Sequence, residues 1–257
     1  MSKSFKEEFI VKNKKTVSII IPVVIDNEQL LQMTMKCLQH IGQTVKRDEV
    51  EVIIVDNGSK LPAYFKTDIY IKNPVNIGYG IALNQGIKLS HGKYIIPMNN
   101  DVFVNNGWLE PLIEALEKDD TIGVIRPIQI GTGNYPSEKR KYGQDKITFN
   151  QKDYHGFCYA IPKIVLDKIG LFDEQFAPAY CEDVDMWVRL TKAGYKMAKC
   201  YESTVEHIGG ATTAQGVQIG NALNDNRKKF KEKWGFDVFS QEWYTEAEQL
   251  KSKFGEI

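Results

Sequence analysis

The sequence lacks a surplus of charge: 33 Lys plus Arg balance 33 Asp plus Glu over 257 residues. A chain of zero net charge has no global field for nucleic acid or an anionic membrane, so its partners must be read from local groups. It is also poor in cysteine. Cys37, Cys158, Cys181 and Cys200 are widely spaced with no CxxC pair, which argues against a zinc site or a redox motif and for buried free thiols. No apolar run approaches the ~20 residues that span a bilayer. The opening "MSKSFKEEFIVKNKK" has no apolar core of the kind a signal peptide carries. The expectation is a soluble, cytoplasmic protein, peripheral to a membrane at most. P-loop spacing is missing, and "NIGYGIALNQG" offers Gly78 and Gly80 but has Leu83 where a dinucleotide fingerprint needs glycine. There is no internal repeat and no low-complexity tract.

What is present is alternation of strand and helix in a chain long enough for a sizeable core in one main domain. "VSIIIPV" (17–23) and "VEVIIVD" (50–56) are β-branched runs, and the "NEQLLQMTMKCLQHI" between them has helical apolar spacing with Asn27 or Asp26 as cap. "IYIK" (69–72) and "KYIIPM" (93–98) read as strands on either side of the helix "GIALNQGIKLS". The helix "GWLEPLIEALEKDD" and the strand "IGVIRP" follow. Such alternation over 126 residues implies a mostly parallel sheet flanked by helices, an α/β fold. Residues 129–153 lose periodicity and read as a long excursion. Then come "HGFCYAIP" as a strand, "KIVLDKIG" as a short helix closed by Gly170, "EDVDMWVRLTKAG" as a helix and "YKMAKC" as a strand. The charged tail, about 217–255, reads as one or two amphipathic helices, with Phe230, Trp234, Phe236, Phe239 and Trp243 packing on the main domain.

In open parallel sheets ligands gather at the carboxyl ends of the strands. The polar groups there are Asp56, the loop "NPVNIGYG", and the triplet Asn99, Asn100 and Asp101. Each has a bland alternative. Asp56 can simply make a turn, the glycines a tight entry to a helix, and the triplet a cap. Hard oxygens such as these also suit magnesium or manganese that shares its shell with a diphosphate. "YCEDVDMWVRL" sets Glu182, Asp183 and Asp185 in the first turn of a helix, where acids complement the dipole. One of them can instead serve as general base to a hydroxyl. Asp185 lies about 200° around the helix from Asp183 and about 300° from Glu182, so the three cannot share one orientation. His207, before a Gly pair, is either a surface or core histidine or a metal ligand beside Asp101.

Taken in order, "VSIIIPV", "VIIVDNGS", "NPVNIGYGIALNQGI", "YIIPMNND", "FCYAIPKIVLDKIGLFDEQF", "CEDVDMWVRLTKAGYKM", "HIGG" and "FKEKWG" resemble the inverting family 2 glycosyltransferases of GT-A fold, in their rhamnosyl- and galactofuranosyl-transferring branch. The matching pieces run from residue 17 to about 235. The resemblance implies transfer of a sugar from a nucleotide-diphosphate sugar to the hydroxyl of a glycan or other acceptor. Pro22, Asp56, Asn76, Gly78, Asn84, Asn99 and Asn100 would contact the donor, with Asp56 on the base. Asp101, in the family's "DXD" element, and His207 would hold Mn2+ or Mg2+ on the diphosphate. Glu182 and Asp183 match the "ED" pair, with Asp183 the base. Asn99 stands where the element has its first acid, and "IPVVIDN" replaces the Thr-Tyr or Thr-Phe-Asn run of many relatives.

The expected organisation is a catalytic domain over 1–215, divided into a nucleotide-binding half (16–126) and an acceptor half (127–215), with a helical extension over 216–257. Asn99 in place of an acid leaves a second class open, a non-catalytic module that binds a nucleotide-sugar or glycan. A third, nucleotidyl transfer, would need a Gly-rich basic loop after the first strand, and "PVVIDNEQ" has neither glycine nor cation.

Overall fold

The computed structural model describes residues 15–131, 136–149, 156–210, 220–238 and 240. β1 (Val17–Val23), β2 (Val50–Asn57), β3 (Ile69–Asn73) and β4 (Tyr94–Pro97) lie parallel in the order β3-β2-β1-β4. Every residue of β1, β2 and β4 is buried, which is why these strands read as continuous β-branched runs rather than as alternation. Connecting helices cover them: α1 (Glu28–Thr44) between β1 and β2, and α2 (Tyr79–Leu89) between β3 and β4. Asn27 caps α1, its side chain accepting the Leu30 amide at 3.0 Å.

Beyond β4 the architecture departs from a single parallel sheet. The triplet 99–101 turns the chain into β5 (Val102–Val104), which pairs antiparallel with the end of β9 (Lys196–His207). α3 (Glu110–Lys118) starts three residues later than expected, and β6 (Ile122–Ile130) runs parallel to β9. The excursion after it contains a further strand, β7 (Ile147–Phe149), antiparallel to β9. Glu138 pins this segment, accepting from Arg126 at 2.7 and 2.8 Å and from Lys199 at 2.7 Å. Despite its partial burial, these cations hold its carboxyl well below the ordinary range.

The expected strand over "HGFCYAIP" pairs regularly only as β8 (Ile161–Pro162), antiparallel to β4. Bridges from Cys158 to Met98 and from Ala160 to Ile125 let the same segment join the first sheet to the second. α4 (Lys163–Ile169) follows, closed by Gly170 at φ 86°. α5 (Glu182–Lys192) and β9 come next; β9 extends seven residues beyond the strand ending at Cys200 that the sequence suggests. The described part of the tail forms α6 (Ala222–Trp234). Phe230, fully buried, packs there with Phe176, Val184, Val188 and Phe236, a burial of about 1.5–3 kcal/mol for the Phe230 side chain alone. Phe239, Trp243 and the rest of the expected tail helices lie outside the described residues. Among the described residues no helix is long and apolar enough to cross a membrane.

Candidate active site

The carboxyl ends of β1, β2 and β4 meet the start of α2 on one side and the start of α5 on the other. Pro22 sits in β1 opposite Val55, two residues past the last β1–β4 pair. A proline without an N–H is tolerated there because no ladder bond to β4 is lost. Asp56, one residue further along β2, is buried, and both its oxygens are engaged: Oδ1 accepts the Ser59 amide at 2.9 Å and Oδ2 the Tyr70 hydroxyl at 2.7 Å. Asp56 does make a turn, and the turn leaves a fixed carboxylate at the strand end.

The "NIGYG" loop is shaped by side-chain amides whose role the motif itself does not show. Asn57 donates to Asn76 Oδ1 at 2.9 Å and accepts the Ile77 amide at 3.1 Å, while Asn73 bonds both Asn57 and Gln85. Asn76 Oδ1 also accepts the Gly78 amide at 3.0 Å. Gly78, at φ 105°, lies against the chain before α5, where a Cβ would come within 2.9 Å of the Ala177 Cβ. Position 78 needs glycine on both counts.

Asn84 and Asn100 turn away from this group. The Asn84 amide bonds Phe172 in both directions, at 2.9 and 3.0 Å, and also Glu174 at 3.0 Å. The Asn100 amide donates to Thr34 on α1 at 2.9 Å. Both are buried and fasten the scaffold. Asn99, half exposed, points the other way and accepts the Tyr79 hydroxyl at 2.8 Å.

Pairing of Val102 with His207 brings Asp101 and His207 together, with Oδ1 and Nε2 at 3.3 Å. Asp101 Oδ2 accepts the Gly209 amide at 3.1 Å, and the His207 ring stacks on Phe157 at 4.4 Å. A buried carboxylate beside an imidazole is a donor set that manganese accepts more readily than magnesium. Among the described residues no group of three His, Cys, Asp or Glu side chains converges for a metal. Asp101 and His207 thus fit as part of a shell whose remaining positions would fall to diphosphate oxygens and water.

α5 begins under strain: Tyr180 and Cys181, neither glycine, hold left-handed backbones at φ 74° and 73°, at a cost of about 1–3 kcal/mol each. The helix then separates its three acids as their angular spacing requires. Asp185 faces α6 and is spent on Arg189, Lys233 and Trp234 at 2.9, 2.6 and 2.9 Å. Glu182 packs over Gly80 of α2, and its Oε2 is buried without a partner. Asp183 Oδ1 accepts the Val184 amide at 2.8 Å, and its Oδ2 lies beneath Gly156, where an added Cβ would stand at 2.5 Å. Burial, together with the Asp183 charge, raises the Glu182 carboxyl far above the ordinary glutamate range. Burial also raises Asp183, against the opposing pull of the Val184 amide.

Two tyrosines sit among these acids. Burial and then the charges of Glu182, Asp183 and Asp101 push the Tyr79 hydroxyl well above its usual range. Tyr159, with its hydroxyl buried and unpartnered, is raised in the same way by burial and by Tyr79, Asp183 and Glu182. Tyr79 starts α2 beside Gly80, over which Glu182 packs, and its hydroxyl bonds Asn99, so it links the acid pair of α5 to the triplet after β4. Tyr79, Tyr159 and Gly156 carry no signal of their own in the sequence, because only the contacts across the chain give them a place.

A family model for glycosyl transferase family 2 matches residues 18–170. The chain belongs to that family. An uncharacterized glycosyltransferase of Rickettsia prowazekii is 30% identical over 190 residues, covering 67% of this chain and 58% of its own length. The chain thus spans a little over half of that relative. The O-antigen chain rhamnosyltransferase WbaN of Salmonella anatum is 22% identical over 205 residues, covering 70% of this chain and 63% of WbaN. Among solved structures, GalNAc-T7 with UDP, GalNAc and Mn2+ superposes with a TM-score of 0.68 at 17% identity, covering 87% of this chain and 48% of that one. The fold of this family 2 member is of the GT-A type.

Proposed function

We propose that the chain catalyses inverting transfer of a sugar from a nucleotide-diphosphate sugar to an acceptor hydroxyl. The observation that carries the reading is that α2 joins the two acidic groups: Glu182 of the α5 acid pair packs over Gly80, and the neighbouring Tyr79 hydroxyl bonds Asn99 of the triplet that ends in Asp101. A carboxylate whose pKa is raised by burial is a better base near neutral pH than one in water. Asp183 accepts the proton of the acceptor hydroxyl as that oxygen bonds to the anomeric carbon. The bond from that carbon to the diphosphate oxygen breaks, its electron pair leaves with the diphosphate, and the configuration inverts. Glu182, buried beside Asp183 and without a partner at Oε2, holds its proton to the higher pH and leaves the ionised role to Asp183.

Asp56 orients the base, and Pro22, Asn76 and Gly78 line the donor. Asn99, held by Tyr79, meets the ribose. Asn84 and Asn100 act through the scaffold. Asp101 and His207 would hold a divalent metal, which supplies charge stabilisation to the departing diphosphate when bound. The presence of UDP and Mn2+ in the GalNAc-T7 structure supports a UDP-type donor and manganese, and WbaN supports the rhamnosyl-transferring branch. Residues 1–215 form the catalytic domain in this reading and 216–257 an extension to it.

Thermal stabilisation by a panel of UDP- and dTDP-sugars with manganese, followed by hydrolysis of each, tests the proposal. Stabilisation and slow turnover by one donor are expected. Binding without any turnover would make the chain a binding module, and neither would remove the assignment.

A further inference from the structure

The segment 173–181 links α4 to the acid pair, and two elements grip it from opposite sides. On one side it touches the donor loop: the Tyr79 amide donates to the Pro178 carbonyl at 2.8 Å, and Gly78 leaves no room for a Cβ against Ala177. On the other side lies α6. Asn226, fully buried, donates from its one side-chain nitrogen to the carbonyls of Phe176, Ala179 and Tyr180 at 2.5, 2.8 and 3.2 Å. Lys229 reaches the Gln175 carbonyl at 2.7 Å, and Lys233 reaches Asp173 at 2.6 Å. Two of the carbonyls that Asn226 holds, those of Ala179 and Tyr180, lie just before and within the left-handed pair Tyr180 and Cys181, a conformation that persists only where its surroundings over-determine it.

We propose that Asn226 is a positioning residue for the acid pair: by gathering three carbonyls it fixes the strained turn from which Glu182 and Asp183 project. The inference rests on the reading of Asp183 as the base. A side-chain amide suits the place because it alone among side chains of this size presents two N–H groups from one atom and a neutral charge; with three carbonyls at hand, one N–H is shared between two of them. Alanine removes the donors. Asn226→Asp keeps the shape but sets a carboxylate against the same three carbonyls.

The test uses the full chain and the sugar nucleotide that wild type hydrolyses fastest in the donor panel. For Asn226→Ala, kcat is expected to fall about 10- to 100-fold, the scale of an ångström-sized misplacement of a reacting group. Donor KM and UDP binding should change less than kcat, because Asp56 and Asn99 stand at strand ends that α6 does not hold, while the donor loop is touched only through Ala177 and Pro178. Asn226→Asp should lose more than alanine, and increasingly so as pH rises and its carboxyl ionises. In an Asp183→Asn background the alanine change should add little, since groups acting as one unit are not additive. Unchanged kcat in both Asn226 variants, or fully additive losses, would overturn the inference. If Asp183→Asn alone retains turnover, the base assignment fails instead. If no donor is turned over, amide exchange across 177–183 decides: faster exchange in either variant supports the clamp, and unchanged protection overturns it. If neither variant folds, Lys229→Met, at a half-buried position, takes their place: faster exchange across 177–183 again supports the clamp, and unchanged protection again overturns it.

Discussion

Gly156→Ala aims a single methyl group at the proposed base. The new Cβ would stand 2.5 Å from Asp183 Oδ2, 3.3 Å from its Cγ and 3.4 Å from its Cβ. The carboxylate oxygen must retreat by about 0.9 Å, the gap between 2.5 Å and the 3.4 Å at which ordinary contact begins. Asp183 can retreat by turning its side chain, which disturbs the bond that its Oδ1 accepts from the Val184 amide. A shift of that size at a reacting group costs about 10- to 100-fold in rate. The backbone has no objection: Gly156 is not in the left-handed region, so the gain of about 0.4–1 kcal/mol that Gly→Ala brings through the unfolded chain offsets part of the cost of moving the carboxylate. The variant should therefore melt within a few degrees of wild type, bind UDP with manganese as wild type does, and lose turnover. The assay is donor hydrolysis under saturating donor, set beside calorimetric UDP binding. Turnover within roughly two-fold of wild type in a folded Gly156→Ala would refute the placement of Asp183 Oδ2 as the reacting atom.

Glu182 gives a pH signature. Its folded pKa is raised, by burial first and then by Asp183, so it contributes full stability below the ordinary glutamate value of 4.5 and loses it as pH rises through the raised value. Glu182→Gln should thus match wild type in urea denaturation at acidic pH and exceed it increasingly toward alkaline pH; a constant difference across pH would contradict the buried, proton-holding carboxyl. Asp101→Ala should weaken manganese-dependent UDP binding by about 10-fold or more, since losing even an outer-shell partner of a metal costs that much. Calorimetry that shows equal binding with and without manganese, in both proteins, would remove the metal from the mechanism. Asn99→Asp, which supplies the missing acid, should strengthen manganese dependence while the Tyr79 hydroxyl still finds an acceptor; weaker dependence would count against a metal site at the β4–β5 turn.

The parallel core was legible because β1, β2 and β4 are buried on both faces, and a run of Ile and Val can hardly be anything else at that length. The α1 cap was legible too, as a choice between two adjacent residues that the geometry settles on Asn27. β5 was not. Three residues carry no periodicity, and that strand exists only through its pairing with β9 some hundred residues later. The polar half of β9, "YESTVEH", hides for the same reason. The site shows the same division. Asp101, His207, Glu182 and Asp183 were visible as residue types at strand and helix ends. Which amides face inward was not: Asn84 and Asn100 sit in the motifs beside Asn76 and Asn99 yet bond Phe172 and Thr34. Gly156 and Asn226 matter only for what folding sets against them, an aspartate in one case and three carbonyls in the other.

The central claim is a single displacement with Asp183 as base, and the anomeric configuration of the first product tests it most directly. With an α-linked nucleotide-sugar, proton NMR of the freshly released or transferred sugar should show the β anomer before mutarotation. The α anomer as first product would contradict the mechanism, whatever the variants show.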